Sequence, residues 1–183
     1  MSRIIDDTLP IVIKHDDTLM ADVLKPYFKH TAYLKFADVY IEGDPAHGGK
    51  ITGKGWFEIP SSCYIEDTGH FNSVEFNISY NQIMYYVIAA SIRHKAMQVF
   101  NNWTLETYFK KQLPDILIVN LKSKFNKPVI PKRFYGEIDF IETKLIKSNS
   151  LIYIKTYCRY SDEPGKINCN GEVDLAIVKA NAL

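Results

Sequence analysis

The chain has 183 residues, of which 46% are hydrophobic and 23% are charged, and its formal net charge is +1. This composition is typical of one folded globular domain, and it excludes a disordered chain. The near-neutral charge also argues against a nucleic-acid partner, because nucleic-acid binders carry a basic excess on one face.

Cellular location is predicted from three further features of the sequence. No apolar run approaches the ~20 residues needed to span a membrane, so no membrane span is expected. The N-terminus carries acidic residues where a signal peptide needs an apolar run. The three cysteines, Cys63, Cys158 and Cys169, form no paired motif and leave an odd one over, which suits a reducing compartment. We therefore expect a cytoplasmic protein.

In chain order, the pattern predicts an N-terminal helical segment (1–30), two strands, one long hydrophobic helix with the loop that precedes it (67–95), a short helix and four more strands. The strands, rich in β-branched and aromatic residues, are predicted at 31–43, 50–60, 115–125, 132–147, 150–162 and 166–180. Tight turns at 148–150 and 163–166 indicate antiparallel pairing. An antiparallel sheet around one long central helix is an α+β layout, the hot-dog fold, and we expect residues 1–183 to form a single such domain.

The long helix begins with polar residues, which have two interpretations. If Asn72 is the N-cap, Glu75 falls at the third helical position, as in a capping box. A helix N-terminus also presents unpaired backbone N–H groups and partial positive charge, so it can stabilise a developing oxyanion. The two roles do not exclude each other.

Two more polar residues of this region are candidates for chemistry. Asn81 shares helical spacing with apolar residues such as Val74 and Ile78, and a buried primary amide must find partners or cost about 1–3 kcal/mol. It is therefore either a satisfied structural amide or a site residue. His70 lies in a turn before the helix, where an imidazole is either an ordinary loop side chain or a base that works near neutral pH.

Other kinds of site lack support. The glycine-rich stretch 43–55 misses the phosphate-loop register by one residue and leads into a strand, and no Gly-x-Ser-x-Gly elbow exists. Cys63 has no local histidine partner, and the five histidines lack metal-ligand spacing, so we expect no metal and no cofactor. One run of basic residues near the fourth predicted strand has two interpretations. It is either a solvated strand edge or a binding site for a phosphate or an acidic carrier protein. It comprises Lys122, Lys124, Lys127, Lys132 and Arg133.

The stretch SSCYIEDTGHFNSVEFNISYNQIMYYVIA resembles the signature of the FcoT-like family of hot-dog proteins, which act on long-chain fatty acyl thioesters. The segments LKPYFKH, NNWTLETYFKKQL and SKFNKPVIPKRF extend the resemblance over nearly the whole chain. It implies that four residues surround the thioester carbonyl, with the two tyrosines binding substrate: Tyr27 (in KPY), Tyr64, Asn72 (in GHFN) and Asn81 (in YNQ). Each tyrosine is alternatively an amphipathic residue at the core edge.

The GHF tripeptide also resembles the hot-dog dehydratases that act on acyl carrier protein. This sequence lacks their PGNPVMPG continuation and the acidic residue further along the helix. Simple dehydration is therefore not expected.

The resemblance implies two possible reactions. Some family members resemble thioesterases, and others resemble enzymes of isonitrile-lipopeptide pathways that add glycine to the β-carbon of a 2-enoyl-acyl carrier protein. Hydrolysis needs a positioned water, whereas addition needs a base for the amine and a donor for its carboxylate. His70 and Glu75 both supply a base, which favours addition. Hydrolysis and a non-catalytic acyl-binding role remain alternatives.

The partners follow from this interpretation. The substrate is expected on the phosphopantetheine of acyl carrier protein or on coenzyme A, with glycine as the second substrate. Because hot-dog domains usually pair their sheets, we expect a homo-oligomer that is at least a dimer.

Overall fold

The computed structural model describes residues 10–43, 49–146 and 150–178. Residues 148 and 149 of the predicted turn and residues 44–48 of the glycine-rich stretch lie outside these residues. The described chain contains three α-helices and seven strands. The helices are α1 (Asp17–Leu24), α2 (Ser73–Arg93) and α3 (Leu105–Lys111). The strands are β1 (Ile11–Ile13), β2 (Leu34–Glu42), β3 (Lys50–Phe57), β4 (Ile116–Phe125), β5 (Phe134–Ile146), β6 (Leu151–Ser161) and β7 (Cys169–Val178).

The strands form one antiparallel sheet in the order β1-β2-β3-β5-β6-β7-β4. Helix α2 lies against its inner face, and from Ile83 to Ile92 every residue of α2 is buried. The prediction of an α+β hot-dog fold is confirmed. No helix within the described part of the chain is long and apolar enough to cross a membrane.

The sheet approaches α2 closely because glycines replace side chains at the contact. A Cβ built on Gly53 of β3 would lie 2.3 Å from Cγ2 of Val87 and 3.0 Å from Cγ2 of Ile138. A Cβ on Gly171 of β7 would lie 2.7 Å from Cζ of Phe76. Both distances are below van der Waals contact, so these positions leave no room for a methyl group.

The predicted N-terminal helical segment differs from the structure in one respect. It contains α1, which ends before Pro26 as predicted, but it also contains the short strand β1, which pairs with β2. Three residues are too few to show an alternating pattern, and pairing with a formed β2 edge stabilises them instead. Residues 1–9 of this segment lie outside the described residues.

Candidate active site

Helix α2 begins with the predicted cap. The Asn72 side chain accepts hydrogen bonds from the backbone N–H groups of Val74 (3.0 Å) and Glu75 (3.2 Å). The Glu75 carboxylate accepts one from the Asn72 N–H at 3.1 Å, which completes a capping box. Among the described residues, the N–H of Ser73 finds no partner. The first turn therefore keeps a free donor and the positive end of the helix dipole.

The loop before α2 fixes the position of His70. Gly69 has a positive φ of 73°, and its N–H donates to the Asp67 carboxylate at 2.8 Å. The His70 Nδ1 lies 3.0 Å from the Thr68 carbonyl oxygen, which can only accept, so Nδ1 carries the proton. In the neutral tautomer that this hydrogen bond selects, the unprotonated nitrogen is Nε2. This geometry leaves His70 ready to accept a proton at Nε2.

A second loop brings a cation to the same place. The N–H groups of Asn126 and Lys127 both donate to the Asn168 carbonyl, at 2.9 and 3.0 Å. Further along this loop, the Val129 carbonyl accepts from the N–H of buried Phe71 at 3.0 Å. Contacts between the two loops thus tie Lys127 to the start of α2.

The two loops and the first turn of α2 enclose an open pocket of about 490 Å³. The pocket combines a base (His70), an ammonium group (Lys127) and the free N–H of a helix N-terminus, with Phe71 and Phe125 as apolar walls. Its lining residues are His70, Phe71, Asn72, Ser73, Phe125, Asn126, Lys127 and Pro128. An anion or a polarised carbonyl is stabilised in such a place, next to a group that moves protons.

Glu75 takes part in the capping box but does not line this pocket. Its side chain is only 3% exposed and lies near the side chains of Ser62 and Tyr33. Burial raises the pKa of its carboxyl, and the hydrogen bond from the Asn72 N–H, together with the nearby Ser62 hydroxyl, only partly offsets that effect. Glu75 is therefore buried at the start of α2, close to Tyr33, which directly precedes β2.

The raised pKa of Glu75 leads to a stability prediction. Because its folded-state pKa lies above the ordinary value of 4.5, ionisation opposes folding, and stability falls as pH rises from 4.5 through the folded-state pKa. Glu75→Gln keeps an acceptor for the cap and removes the charge. We expect it to remove this pH-dependent loss and to change stability near neutral pH by no more than about 1 kcal/mol. Urea unfolding at several pH values measures this, and an unchanged pH profile would contradict it.

Tyr33 and Gln82 are site neighbours that the sequence analysis did not assign. Gln82 accepts from the N–H groups of Tyr33 and Leu34, each at 2.9 Å, and donates to the Thr31 carbonyl at 2.6 Å. These three hydrogen bonds fix the backbone at Tyr33. The Tyr33 hydroxyl is buried, has no hydrogen bond of normal geometry, and lies near Cys63 and Glu75. Gln82 is an amide within the predicted central helix, and this was the signal in the sequence. Such an amide needs hydrogen-bond partners when it is fully buried, as Gln82 is.

The remaining predicted residues lie elsewhere. Asn81 is nine residues beyond Asn72, which is about 14 Å along the helix axis. It is half-buried rather than fully buried, because the Val74–Ile78 side of α2 is partly exposed, so the predicted core position was wrong. Tyr27 packs against the core near Tyr85, and burial raises its hydroxyl pKa. Tyr64 is 50% exposed on the loop.

The structure therefore brings together only part of the predicted set. His70 and Asn72 line the pocket, whereas Glu75, Asn81, Tyr27 and Tyr64 do not. Within the described residues, no three His, Cys, Asp or Glu side chains are placed to hold a metal ion.

Comparison with known proteins places this geometry in a family. The model of the FcoT-like thioesterase domain matches residues 22–177. The chain belongs to the FcoT-like thioesterase family. A crystal structure from Shewanella oneidensis of a protein named as a thioesterase shares the family's hot-dog fold with a TM-score of 0.53, at 8% identity, covering 89% of this chain and 99% of that one.

Two of the proteins that this chain resembles share one name. The (2E)-enoyl-ACP glycyltransferase of Streptomyces coeruleorubidus is 44% identical over 167 residues, which cover 89% of this chain and 97% of that protein. The enzyme of that name from Mycobacterium marinum is 32% identical, over 87% of this chain and 85% of that protein.

Proposed function

We propose that this enzyme adds glycine to the β-carbon of a 2-enoyl chain carried on acyl carrier protein. The names of its relatives support this reaction, since the match to the Streptomyces enzyme covers nearly all of both chains. The observation that carries the proposal is that His70 and Lys127 line the same pocket at a helix N-terminus. Addition of an amino acid needs a base and a cation together, whereas hydrolysis needs neither the cation nor a second-substrate site.

The reaction balances with these groups alone. Nε2 of His70 takes a proton from the glycine amine while Lys127 pairs with the glycine carboxylate. The nitrogen lone pair forms the N–Cβ bond, the C=C π bond breaks, and the electrons move onto the thioester oxygen. The Ser73 N–H and the dipole of α2 stabilise that enolate oxygen. The proton then returns from His70 to Cα, which gives the β-amino thioester.

No cofactor is needed beyond the phosphopantetheine that carries the substrate. The proposed location is the cytoplasm. The three cysteines are free thiols, and free thiols persist in a reducing compartment. The alternative of a non-catalytic acyl-binding protein finds no support in the relatives' names.

Thioester hydrolysis is the second candidate, because it is the activity named in the family description. Mass spectrometry of a 2-enoyl-acyl carrier protein incubated with the enzyme separates the two. A glycine-dependent mass gain on the carrier-bound chain is expected. Release of free carrier thiol without glycine would instead establish hydrolysis.

We also propose that two copies pair through β4. This ten-residue strand is hydrogen-bonded on one side only, to β7, and its other edge has no partner among the described residues. Apolar side chains on both of its faces are exposed, and long apolar edge strands are otherwise protected against pairing. They are Leu117, Ile118, Val119, Leu121 and Phe125. Pairing with β4 of a second copy would cover them.

Val119→Lys tests this interface. Val119 is 57% exposed, so lysine fits the monomer, whereas two like charges near a two-fold axis oppose pairing. We expect a shift from dimer to monomer in light scattering after gel filtration. Ile141→Lys is the matched control, because Ile141 on β5 is also 57% exposed but does not lie on this edge. An unchanged mass for Val119→Lys would rule out β4 as the interface.

A further inference from the structure

The segment that precedes α2, residues 60–66, is held mainly at its two ends. Before it, the Ile59 N–H donates to the Pro131 carbonyl at 2.9 Å. After it, the Phe71 N–H donates to the Val129 carbonyl at 3.0 Å. Between these anchors, residues 60–66 make no hydrogen bond of normal geometry to any other residue that the structure describes. This strap (residues 60–66) therefore has little local stability of its own.

The strap covers polar groups that lack hydrogen-bond partners. Ser62 of the strap lies beside the Glu75 carboxyl, and Cys63 lies beside the Tyr33 hydroxyl. Tyr33 is fully buried, and Glu75 is almost fully buried. The Tyr33 hydroxyl, the Ser62 hydroxyl and the Nδ2 of Asn72 are all buried without a partner among the described residues. Keeping the strap closed therefore leaves donors unpaired, which costs stability.

Closing the strap also removes the Glu75 carboxyl from water. One hydrogen bond of normal geometry reaches this carboxyl, from the Asn72 N–H at 3.1 Å. The titratable groups around it are Tyr33, Cys63 and Asp67, and Asp67 is itself an acid. No lysine or arginine within the described part of the chain forms an ion pair with it. A charge on Glu75 is therefore unfavourable while the strap is closed.

We propose that the strap is a pH-sensitive gate at the start of α2, which opens when Glu75 is ionised and closes when Glu75 is protonated. The gate adjoins the pocket through Asn72, which lines the pocket and donates its N–H to Glu75. Opening uncovers the Glu75 carboxylate and the Tyr33 hydroxyl and lets water and ligands reach both. This gating does not depend on which reaction the pocket performs.

The direction of the pH effect follows from the burial of Glu75. Burial in the closed form raises the carboxyl pKa above its ordinary value of 4.5, whereas the open form exposes the carboxyl to water. Opening therefore releases a proton. The open fraction is low below pH 4.5, rises above it by at most about tenfold per pH unit, and becomes constant above the closed-form pKa.

A buried thiol on the strap makes this opening measurable. Ser62→Cys combined with Cys63→Ser places the thiol of the strap where the Ser62 hydroxyl is buried, so labelling requires opening. Cys158 and Cys169 are fully buried in the sheet and report unfolding of the whole domain. The probe is dithiodipyridine, with glutathione as the exposed reference thiol at each pH between about pH 4 and about pH 8. We expect the rate at position 62, relative to glutathione, to rise with pH and then level off, while Cys158 and Cys169 stay unlabelled.

Further substitutions in this reporter protein separate the causes. Glu75→Gln cannot ionise, so its relative rate is expected to stay at the low-pH level throughout. Tyr33→Phe removes an unpaired hydroxyl from beneath the strap, so the relative rate is expected to fall about tenfold at every pH, with the pH dependence retained. Glu66→Gln, which changes an exposed carboxyl of the strap, is the matched control and should keep the pH dependence of the reporter.

Several results would overturn the gate. A relative rate that is independent of pH in the reporter, or the same pH dependence in Glu75→Gln, would show that Glu75 does not drive opening. Labelling of Cys158 and Cys169 at the same rate as position 62 would show that the whole domain unfolds and not the strap alone. A higher relative rate in Tyr33→Phe would show that the hydroxyl holds the strap closed instead of opposing closure.

Discussion

Replacing His70 by asparagine is expected to lower kcat/KM for glycine addition by about 10²–10⁴-fold, the range typical of a lost general base. The Nδ1 of His70 is committed to the Thr68 carbonyl, so Nε2 is the nitrogen that takes the amine proton. Asparagine keeps a donor near the Nδ1 position but has no basic nitrogen. Initial rates of adduct formation by mass spectrometry, with glycine and carrier concentrations varied separately, measure the effect.

The folded state is expected to be unaffected, because His70 is exposed, and an unchanged melting temperature is the control. Wild-type kcat/KM in His70→Asn, together with a large loss in Glu75→Gln, would reassign the base to Glu75.

Lys127→Met tests the role of the ammonium group. It should raise the KM for glycine without weakening carrier binding, and the opposite pattern would assign Lys127 to the phosphate of the carrier.

Gly53→Ala is expected to destabilise the protein by about 1–3 kcal/mol, as overpacking of a filled core does. The added methyl would lie 2.3 Å from a Val87 methyl and 3.0 Å from an Ile138 methyl. Both neighbours are β-branched and buried, so neither can move aside by a simple rotamer change. Urea unfolding, analysed at constant m-value, gives the change in free energy.

A double mutant shows whether the steric cause is correct. Val87→Ala alone opens a cavity and destabilises the core. Combined with Gly53→Ala, it provides room for the new methyl, so the pair should lose less stability than the sum of the two single changes. Simple additivity would show that Gly53→Ala acts through the backbone or the unfolded state and not through this contact.

Local signals predicted the elements well. The α2 cap could be predicted because Asn72 and Glu75 hydrogen-bond to each other within four residues. Such local hydrogen bonds depend little on the rest of the chain. The strands were readable because β-branched and aromatic runs end at turn residues. Strand β1 was missed because its three residues are stable only through pairing with β2.

The candidate site was predicted less completely. Helical spacing placed Asn81 among apolar residues and therefore in the core, but it did not show that this side of α2 is left partly exposed. Lys127 was noticed only as one member of a basic run. Its position next to His70 depends on hydrogen bonds from residues 126–127 to Asn168 and from Phe71 to Val129, which join segments far apart in sequence.

The sequence by itself determined the family, the α+β layout and the capped, polar start of the central helix, because these depend on motifs and on interactions within a few residues. Only the tertiary structure decided which groups share a pocket. It left Glu75 out of the pocket that His70 lines, left Asn81 only half-buried, and brought Lys127 to the helix start. These outcomes depend on which way a side chain points and on how distant loops are bonded, and neither is encoded in spacing along the chain.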